Sequence, residues 1–252
     1  MKELEEQILN YWGNRAEGYS EYNREELAGE KWPEWIREIK MHLPDREISE
    51  IQILDIGTGP GFFAILLAQE GYQVTAIDCT EEMLAEAQRN AGALADRIRW
   101  IQMDAQQLDF SDQSFDLVVS RNLTWVLEEP EEAYREWYRV LKSGGMMLNF
   151  DANWYGYLYD DKKREAYEND RKNVEKGSLD DHYLCTDIDR MEKIALQVPL
   201  SETKRPGWDV KVLEALGAAQ IQVNEDIWQQ VWSEEEKLNY GSTPMFMVEA
   251  VK

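Results

Sequence analysis

Apolar residues in the first 150 positions fall into two alternating patterns. Short runs dominated by Ile, Leu, Val, Met and Phe occur at 51–56, 74–77, 98–103, 115–120 and 146–150. Runs of that length predict strands covered on both faces. Between them the spacing turns helical. Phe62 opens an apolar stretch free of Gly and Pro, and Thr80 with Met83 and Leu84 marks a second helix start. Pro130 opens a helix over 131–141 whose Ala133, Trp137, Val140 and Leu141 share one face. Lys142-Ser143-Gly144-Gly145 is expected to end that helix, with its glycines at the C-terminal cap. Strands and helices in strict alternation predict an α/β fold with a parallel sheet.

Outside this region the pattern is less regular. Leu4, Ile8, Tyr11 and Trp12 form one helical stripe, and Trp32, Trp35, Ile36 and Ile39 another, so residues 3–43 should hold two or three helices. Helix 208–216, stopped by Gly217, lies between strands expected at 219–223 and 245–251 and a stretch of some 55 residues after the fifth strand. A plain connection in a compact domain is far shorter than that. The stretch is expected to be an insertion, with a charged helix over 162–176 and an amphipathic segment over 188–196.

The chemistry concentrates where the first strand ends. Asp55-Ile-Gly57-Thr58-Gly59-Pro-Gly61 joins a strand to a helix, and glycines at alternate positions let the backbone turn sharply and approach a ligand. A nucleotide-type ligand is bound by such a loop at the carboxyl end of a sheet. The dinucleotide fingerprint Gly-x-Gly-x-x-Gly fits poorly, because its third glycine falls on Phe62. Asp78 ends the second strand 23 residues after Asp55, where a carboxylate takes ribose hydroxyls or caps the next helix, two roles that can coexist.

Asp55-x-Gly57-x-Gly59-x-Gly61 resembles motif I of the class I S-adenosylmethionine-dependent methyltransferases. Ser114-Phe115-Asp116 before the fourth strand resembles another of their motifs. Arg139-Val-Leu-Lys-Ser143-Gly-Gly145 resembles their RVLKPGG signature, with Ser143 where proline is usual. Together these pieces cover about 100 residues. The resemblance implies a Rossmann-like seven-stranded sheet in the order 3-2-1-4-5-7-6, with strand seven antiparallel and helices on both faces. It implies a single domain over 1–252: a helical cover (1–45), a cofactor-binding core (46–150), a substrate lid (151–205) and the rest of the core (206–252). The implied cofactor is S-adenosyl-L-methionine, leaving as S-adenosyl-L-homocysteine.

The residues implied to hold the cofactor are Asp55, Gly57, Thr58, Gly59, Gly61, Asp78, Cys79, Met83, Asp104, Ala105, Arg121 and Asn122. Among them Asp104 would receive the adenine amine and Met83 would touch the ring. Trp12-Gly-Asn-Arg15-Ala16-Glu-Gly-Tyr19 resembles a segment that folds over the cofactor in related small-molecule enzymes, which adds Tyr19 to the set. Tyr11, Trp125, Asp151, Asn153, Trp154, Tyr155 and Tyr157 are the candidate acceptor-binding residues. Trp125 follows strand four and the 151–157 group follows strand five, and aromatic faces can hold a planar or cationic acceptor. His182, between acids and aromatics, is the candidate general base, with an exposed loop histidine as the plain alternative. His42 reads as a surface or cap residue.

Charge narrows the partners. With 27 basic and 50 acidic residues the net charge is −23, which opposes binding to a nucleic-acid backbone. No apolar run is long enough to span a membrane and no signal-type segment opens the chain, so a cytoplasmic protein without a membrane partner is expected. Cys79 and Cys185 are far apart and imply neither a disulfide nor a metal site. Methyl transfer to a small molecule is the expected activity. A non-catalytic S-adenosylmethionine-binding protein and an NAD-type oxidoreductase are the competing readings, and the acceptor and oligomeric state stay open.

Overall fold

A computed structural model describes residues 2–183 and 186–252; Cys185 lies outside the described residues. Two helices come first, α1 (Lys2–Ala28) and α2 (Trp32–Lys40). The core then runs β1 (Gln52–Ile56), α3 (Phe62–Gln69), β2 (Gln73–Asp78), α4 (Glu81–Ala91), β3 (Ile98–Gln102), β4 (Phe115–Arg121), α5 (Pro130–Val140) and β5 (Leu141–Asp151). Helices α6 (Asp161–Gly177) and α7 (Ile188–Ala195) fill the stretch after β5. The chain closes with α8 (Gly207–Ala215), β6 (Gln220–Asn224), α9 (Trp228–Val231), α10 (Glu234–Tyr240) and β7 (Phe246–Val251).

The sheet order is β3-β2-β1-β4-β5-β7-β6. Strands β1 to β5 pair in parallel, and β7 runs antiparallel between β5 and β6. The order reverses between β1 and β4, so the crevice at their carboxyl ends is the place where this topology binds ligands.

One apolar layer packs α2, α3 and α9 on the sheet. Trp35 lies edge-on to Phe62, Phe63 and Phe150 at centroid distances of 5.2 to 6.0 Å. The opposite layer seats α5 and α8 through Tyr134, Trp137 and Leu213, all fully buried. Truncating a buried Trp such as Trp137 to Ala costs about 3–5 kcal/mol, so these layers hold the strand ends in register. A third cluster (Tyr11, Trp125, Tyr155, Tyr157, Met191 and Ile194) ties α1 to the stretch after β5.

The expected glycine cap after α5 is corrected by the structure. The helix ends at Val140, Leu141 is already extended, and residues 142–145 belong to β5. Ser114 N–H donates to the Val140 carbonyl, which leaves a cap glycine nothing to do there. Gly145 instead lies against the Lys142 and Asp116 carbonyls, where a Cβ would come within 2.9 Å of backbone.

Candidate functional site

The loop Gly57–Gly61 is shaped by what lies under it. Gly57 has φ +66°, and a Cβ there would come within 2.7 Å of Leu123 Cδ2. Gly61 has φ +96° and brings α3 against α4: a Cβ would meet that of Ala87 at 3.1 Å. Having no side chain, Gly61 cannot cap α3, and Asp55 supplies the cap from β1. Its Oδ2 accepts the Ala64 amide at 3.0 Å and the Thr58 hydroxyl at 2.6 Å. Burial pushes the Asp55 carboxyl up to about 7, against the opposing pull of those two donors.

Asp78 organises the other side of the loop. Its Oδ2 accepts the Gly59 amide at 2.9 Å, and its Oδ1 accepts the Thr80 amide and hydroxyl at 2.9 and 2.6 Å. These partners are the loop and the N-cap residue itself, not the first-turn amides of α4 that a helix cap would take. Burial raises the Asp78 carboxyl as well.

Above the loop lies a cavity of about 340 Å³. Gly57, Gly59, Asp78, Cys79, Asp104, Ala105, Arg121 and Asn122 reach it from the strand ends and the loops after them, Met83 reaches it from α4, and Glu5, Ile8, Trp12 and Tyr19 cover it from α1. Asp104 is exposed towards it and accepts the Gln106 amide at 2.8 Å. Burial pushes the Cys79 thiol up, so it behaves as a small apolar wall.

Three residues expected to touch the cofactor stand elsewhere. Asp55 and Thr58 line only a crevice of about 30 Å³ that shares Tyr19, Gly57, Gly59 and Arg121 with the cavity, and their polar atoms are taken by each other and by the Ala64 amide. Gly61 lines neither space, because its role is the close approach of α3 to α4.

A second cavity of about 120 Å³ adjoins the first. Trp12, Tyr19, Arg121 and Asn122 line both. Tyr11, Trp125, Trp154, Tyr155 and His182 line the second, so five of the expected acceptor-side residues converge there. Arg121 is pinned at the junction, donating two parallel hydrogen bonds to Glu26 at 2.7 and 2.8 Å while its guanidinium lies 4.3 Å above the Phe62 ring. His182 Nδ1 is 2.9 Å from the Tyr240 hydroxyl. Burial, then Arg171, lowers the His182 pKa, so its imidazole is neutral at pH 7. His42 is away from both cavities and sits between Glu38 and Glu249.

Asp151, Asn153 and Tyr157 are not in this cavity, against expectation. Asp151 ends β5 with its carboxylate inside the protein, fully buried, paired with Arg205 and accepting the Trp125 amide and Trp154 Nε1. Asn153 exchanges hydrogen bonds with the backbone of Arg205, and Tyr157 donates to Glu192 at 2.9 Å. Both line a separate cavity of about 190 Å³. A chain turning away from a strand end sends successive side chains to different sides, so only Trp154 and Tyr155 face inward.

Sequence reasoning also missed residues. Arg15, Tyr22 and Glu26 continue the α1 face that begins with Glu5, Ile8 and Trp12, all at spacings of three or four. That periodicity was the available signal. Trp232 comes from the junction of α9 and α10, and Glu236 and Tyr240 come from α10. Here the signal was Ser233-Glu-Glu-Glu236, which forms a capping box in the structure. No group of three or more His, Cys, Asp or Glu side chains converges as metal ligands among the described residues. Nor is any helix among them long and apolar enough to cross a membrane.

Sheet order, glycine loop and strand-end acids define a nucleotide-type site of the Rossmann-like class. Comparison with known proteins refines this. Residues 54–149 match the family described as "Methyltransferase domain". The chain is 31% identical over 141 residues to the YqeM protein of Bacillus subtilis, covering 54% of this chain and 55% of that one. It is 33% identical over 125 residues to the ubiquinone/menaquinone biosynthesis C-methyltransferase UbiE of Roseobacter denitrificans, covering 46% and 47%. It thus spans about half the length of these relatives. The Haemonchus contortus phosphoethanolamine N-methyltransferase 2, solved with S-adenosyl-L-methionine, shares the fold at TM-score 0.63 and 19% identity, over 92% of this chain and 56% of that one. Over residues 54–149 the chain is therefore similar to methyltransferase-domain proteins, and it shares the fold of the solved methyltransferase.

Proposed function

We propose that the protein transfers a methyl group from S-adenosylmethionine to a small acceptor held in the aromatic cavity. The observation that carries this is the junction. A cavity of about 340 Å³ beside the glycine loop meets one of about 120 Å³ at Trp12, Tyr19, Arg121 and Asn122. The first has the size of a small-molecule site and carries a carboxylate at the end of β2 and another just after β3. S-adenosylmethionine supplies a methyl carbon already activated by its sulfonium.

The residues present suit that cofactor. Asp78 keeps acceptor capacity for ribose hydroxyls beside the loop it braces, Asp104 is open to the cavity for the adenine amine, and Cys79, Met83 and Ala105 are apolar walls for a ring. Asp55 acts indirectly, by fixing the Gly57–Gly61 loop through Thr58 and Ala64. Tyr19 and Asn122 stand at the junction.

On the acceptor side the protein's task is alignment and exclusion of water, and positioning of this kind is worth about 7–11 kcal/mol. Helix α1 and the stretch 151–205 act as cover and lid, since both contribute walls to the second cavity. The neutral imidazole of His182 can take a proton from the acceptor, with Tyr240 fixing the ring.

Thermal unfolding with S-adenosylhomocysteine, S-adenosylmethionine and NAD in parallel tests this reading. Ligand at 100 times its Kd adds about 2.7 kcal/mol, a shift of several degrees for a chain of this size. The first two ligands should stabilise and NAD should not; stabilisation by NAD alone would overturn the proposal.

A further inference from the structure

The smaller cavity holds four charged side chains besides neutral His182, and they are not all paired with one another. Arg121 and Glu26 neutralise one another through their paired hydrogen bonds. Arg15 and Glu236 remain. Among the described residues the Arg15 Nε is buried without a hydrogen-bond partner, and its guanidinium lies over the Tyr19 ring rather than against a carboxylate. Glu236, 8% exposed, accepts only from neutral donors, the Tyr22 hydroxyl at 2.9 Å and the Ser233 amide at 2.7 Å.

The two groups occupy different ends. Arg15 stacks on Tyr19 at 5.9 Å, and its field also reaches Tyr155. Glu236 is bound to Tyr22, seven residues further along α1, or about 10 Å of helix rise. Tyr240, packed on Trp154 and Trp232 at 5.4 and 5.6 Å, walls the cavity with Glu236. Aromatic faces beside a carboxylate are a setting for an ammonium group, through cation–π attraction and charge-assisted hydrogen bonds. A guanidinium that does not lie against a carboxylate is a setting for one. Burial, then Glu26, raises the Glu236 pKa, so a cation placed beside it is rewarded by restoring the ionised form.

Building on the methyltransferase reading, we propose that the acceptor is a short aminocarboxylate, its carboxylate on Arg15 and its ammonium on Glu236. The nitrogen gives a proton to the neutral His182 imidazole, takes the methyl group, and S-adenosylhomocysteine leaves. A positive and a negative charge at different ends match a molecule carrying one of each; a phosphate dianion would leave a charge unmatched. Size sets the length. A cavity of about 150 Å³ takes benzene, so about 120 Å³ suits a molecule of roughly six heavy atoms, such as β-alanine.

Calorimetric titration of the full chain, with and without saturating S-adenosylhomocysteine, tests the assignment. The probes are β-alanine, 4-aminobutyrate, propylamine, propionate and phosphoethanolamine. The aminocarboxylates should bind at least about tenfold tighter than propylamine or propionate, as expected for a charge-assisted contact at each end. Arg15→Met should erase their advantage over propylamine and leave propylamine itself unchanged. Glu236→Gln, which keeps the capping box, should erase their advantage over propionate. Arg15→Lys should restore part of the first loss. Propylamine binding as tightly as β-alanine, phosphoethanolamine binding tightest, indifference to Arg15→Met, or no probe binding at all would overturn the proposal. Failure of S-adenosylhomocysteine to bind would instead count against the methyl-transfer reading, since the probe ordering is read in both conditions.

Discussion

The larger cavity is floored by strand ends and the loops that leave them and covered by one face of α1, whereas the smaller is walled by side chains from segments as distant as Tyr11 and Met245. Around the first, polar groups are bound mostly by backbone close in sequence: Asp78 to Thr80, Asp104 to Gln106, Asp55 to Ala64. Around the second, the bonds cross the chain: Tyr22 to Glu236, Arg121 to Glu26, His182 to Tyr240. A site made from local backbone geometry keeps its shape while surrounding sequence changes. A site made from long-range side-chain contacts can be rebuilt for another acceptor without disturbing the cofactor. Four changes test this contrast.

The largest effect is expected at the frame of the second cavity. Arg205 pairs with Asp151 and Asp209, all three essentially buried, and Asp151 also holds the Trp125 amide. Arg205→Ala strands two buried carboxylates, which costs about 3–5 kcal/mol. At 2–4 °C per kcal/mol this lowers Tm by roughly 10 °C. Scanning calorimetry measures it, and S-adenosylhomocysteine affinity well below Tm should change little. An unchanged Tm would mean the ion pair does not frame the cavity.

Asp78→Ala comes next and acts on the other side. Losing the carboxylate proposed for the ribose hydroxyls, together with the brace on Gly59, should weaken S-adenosylhomocysteine by about 10- to 100-fold by calorimetry. Within twofold of wild type, Asp78 would be a structural turn residue only. Trp154→Ala sharpens the contrast from the acceptor side, because Trp154 lines the second cavity and not the first. Cofactor affinity should stay within about twofold while acceptor turnover is lost. A matching fall in cofactor affinity would show that the two cavities are not separable.

The same contrast governs what could be read from the sequence. Strands β1 to β4, the glycine loop and the strand-end acids follow from local pattern, because each needs only its own neighbours in the chain. Asp151 was misread because an acid at a strand end looks the same whether it faces a ligand or a buried arginine 54 positions away. Helices α9 and α10 were missed because each has only a turn or two; the apolar face of α9 emerges only in the layer it shares with α2 and α3, and that of α10 only where Tyr240 meets Trp154 and His182. Arg15 stood in a quoted motif without a role, since its place over the Tyr19 ring rather than against a carboxylate is a property of the assembled cavity.

The last change acts through pH, beneath the glycine loop. The Asp55 carboxyl titrates near 4 in an unfolded chain and at about 7 in the folded protein, where burial outweighs the Thr58 and Ala64 hydrogen bonds. Between those values the folded state holds the extra proton, so the contribution of Asp55 to stability falls as pH rises through the window and is level outside it. Asparagine at 55 does not titrate, and its amide oxygen can still take the Ala64 amide. Tm of Asp55→Asn minus that of the wild type should therefore be larger at pH 8 than at pH 4, whatever its sign at either end, since other groups titrate alike in both proteins. A difference that stays level would mean Asp55 is ionised in the folded protein throughout. The loop would then rest on a permanent buried charge, and the cofactor side would owe more to electrostatics, and less to backbone geometry, than its hydrogen bonds indicate.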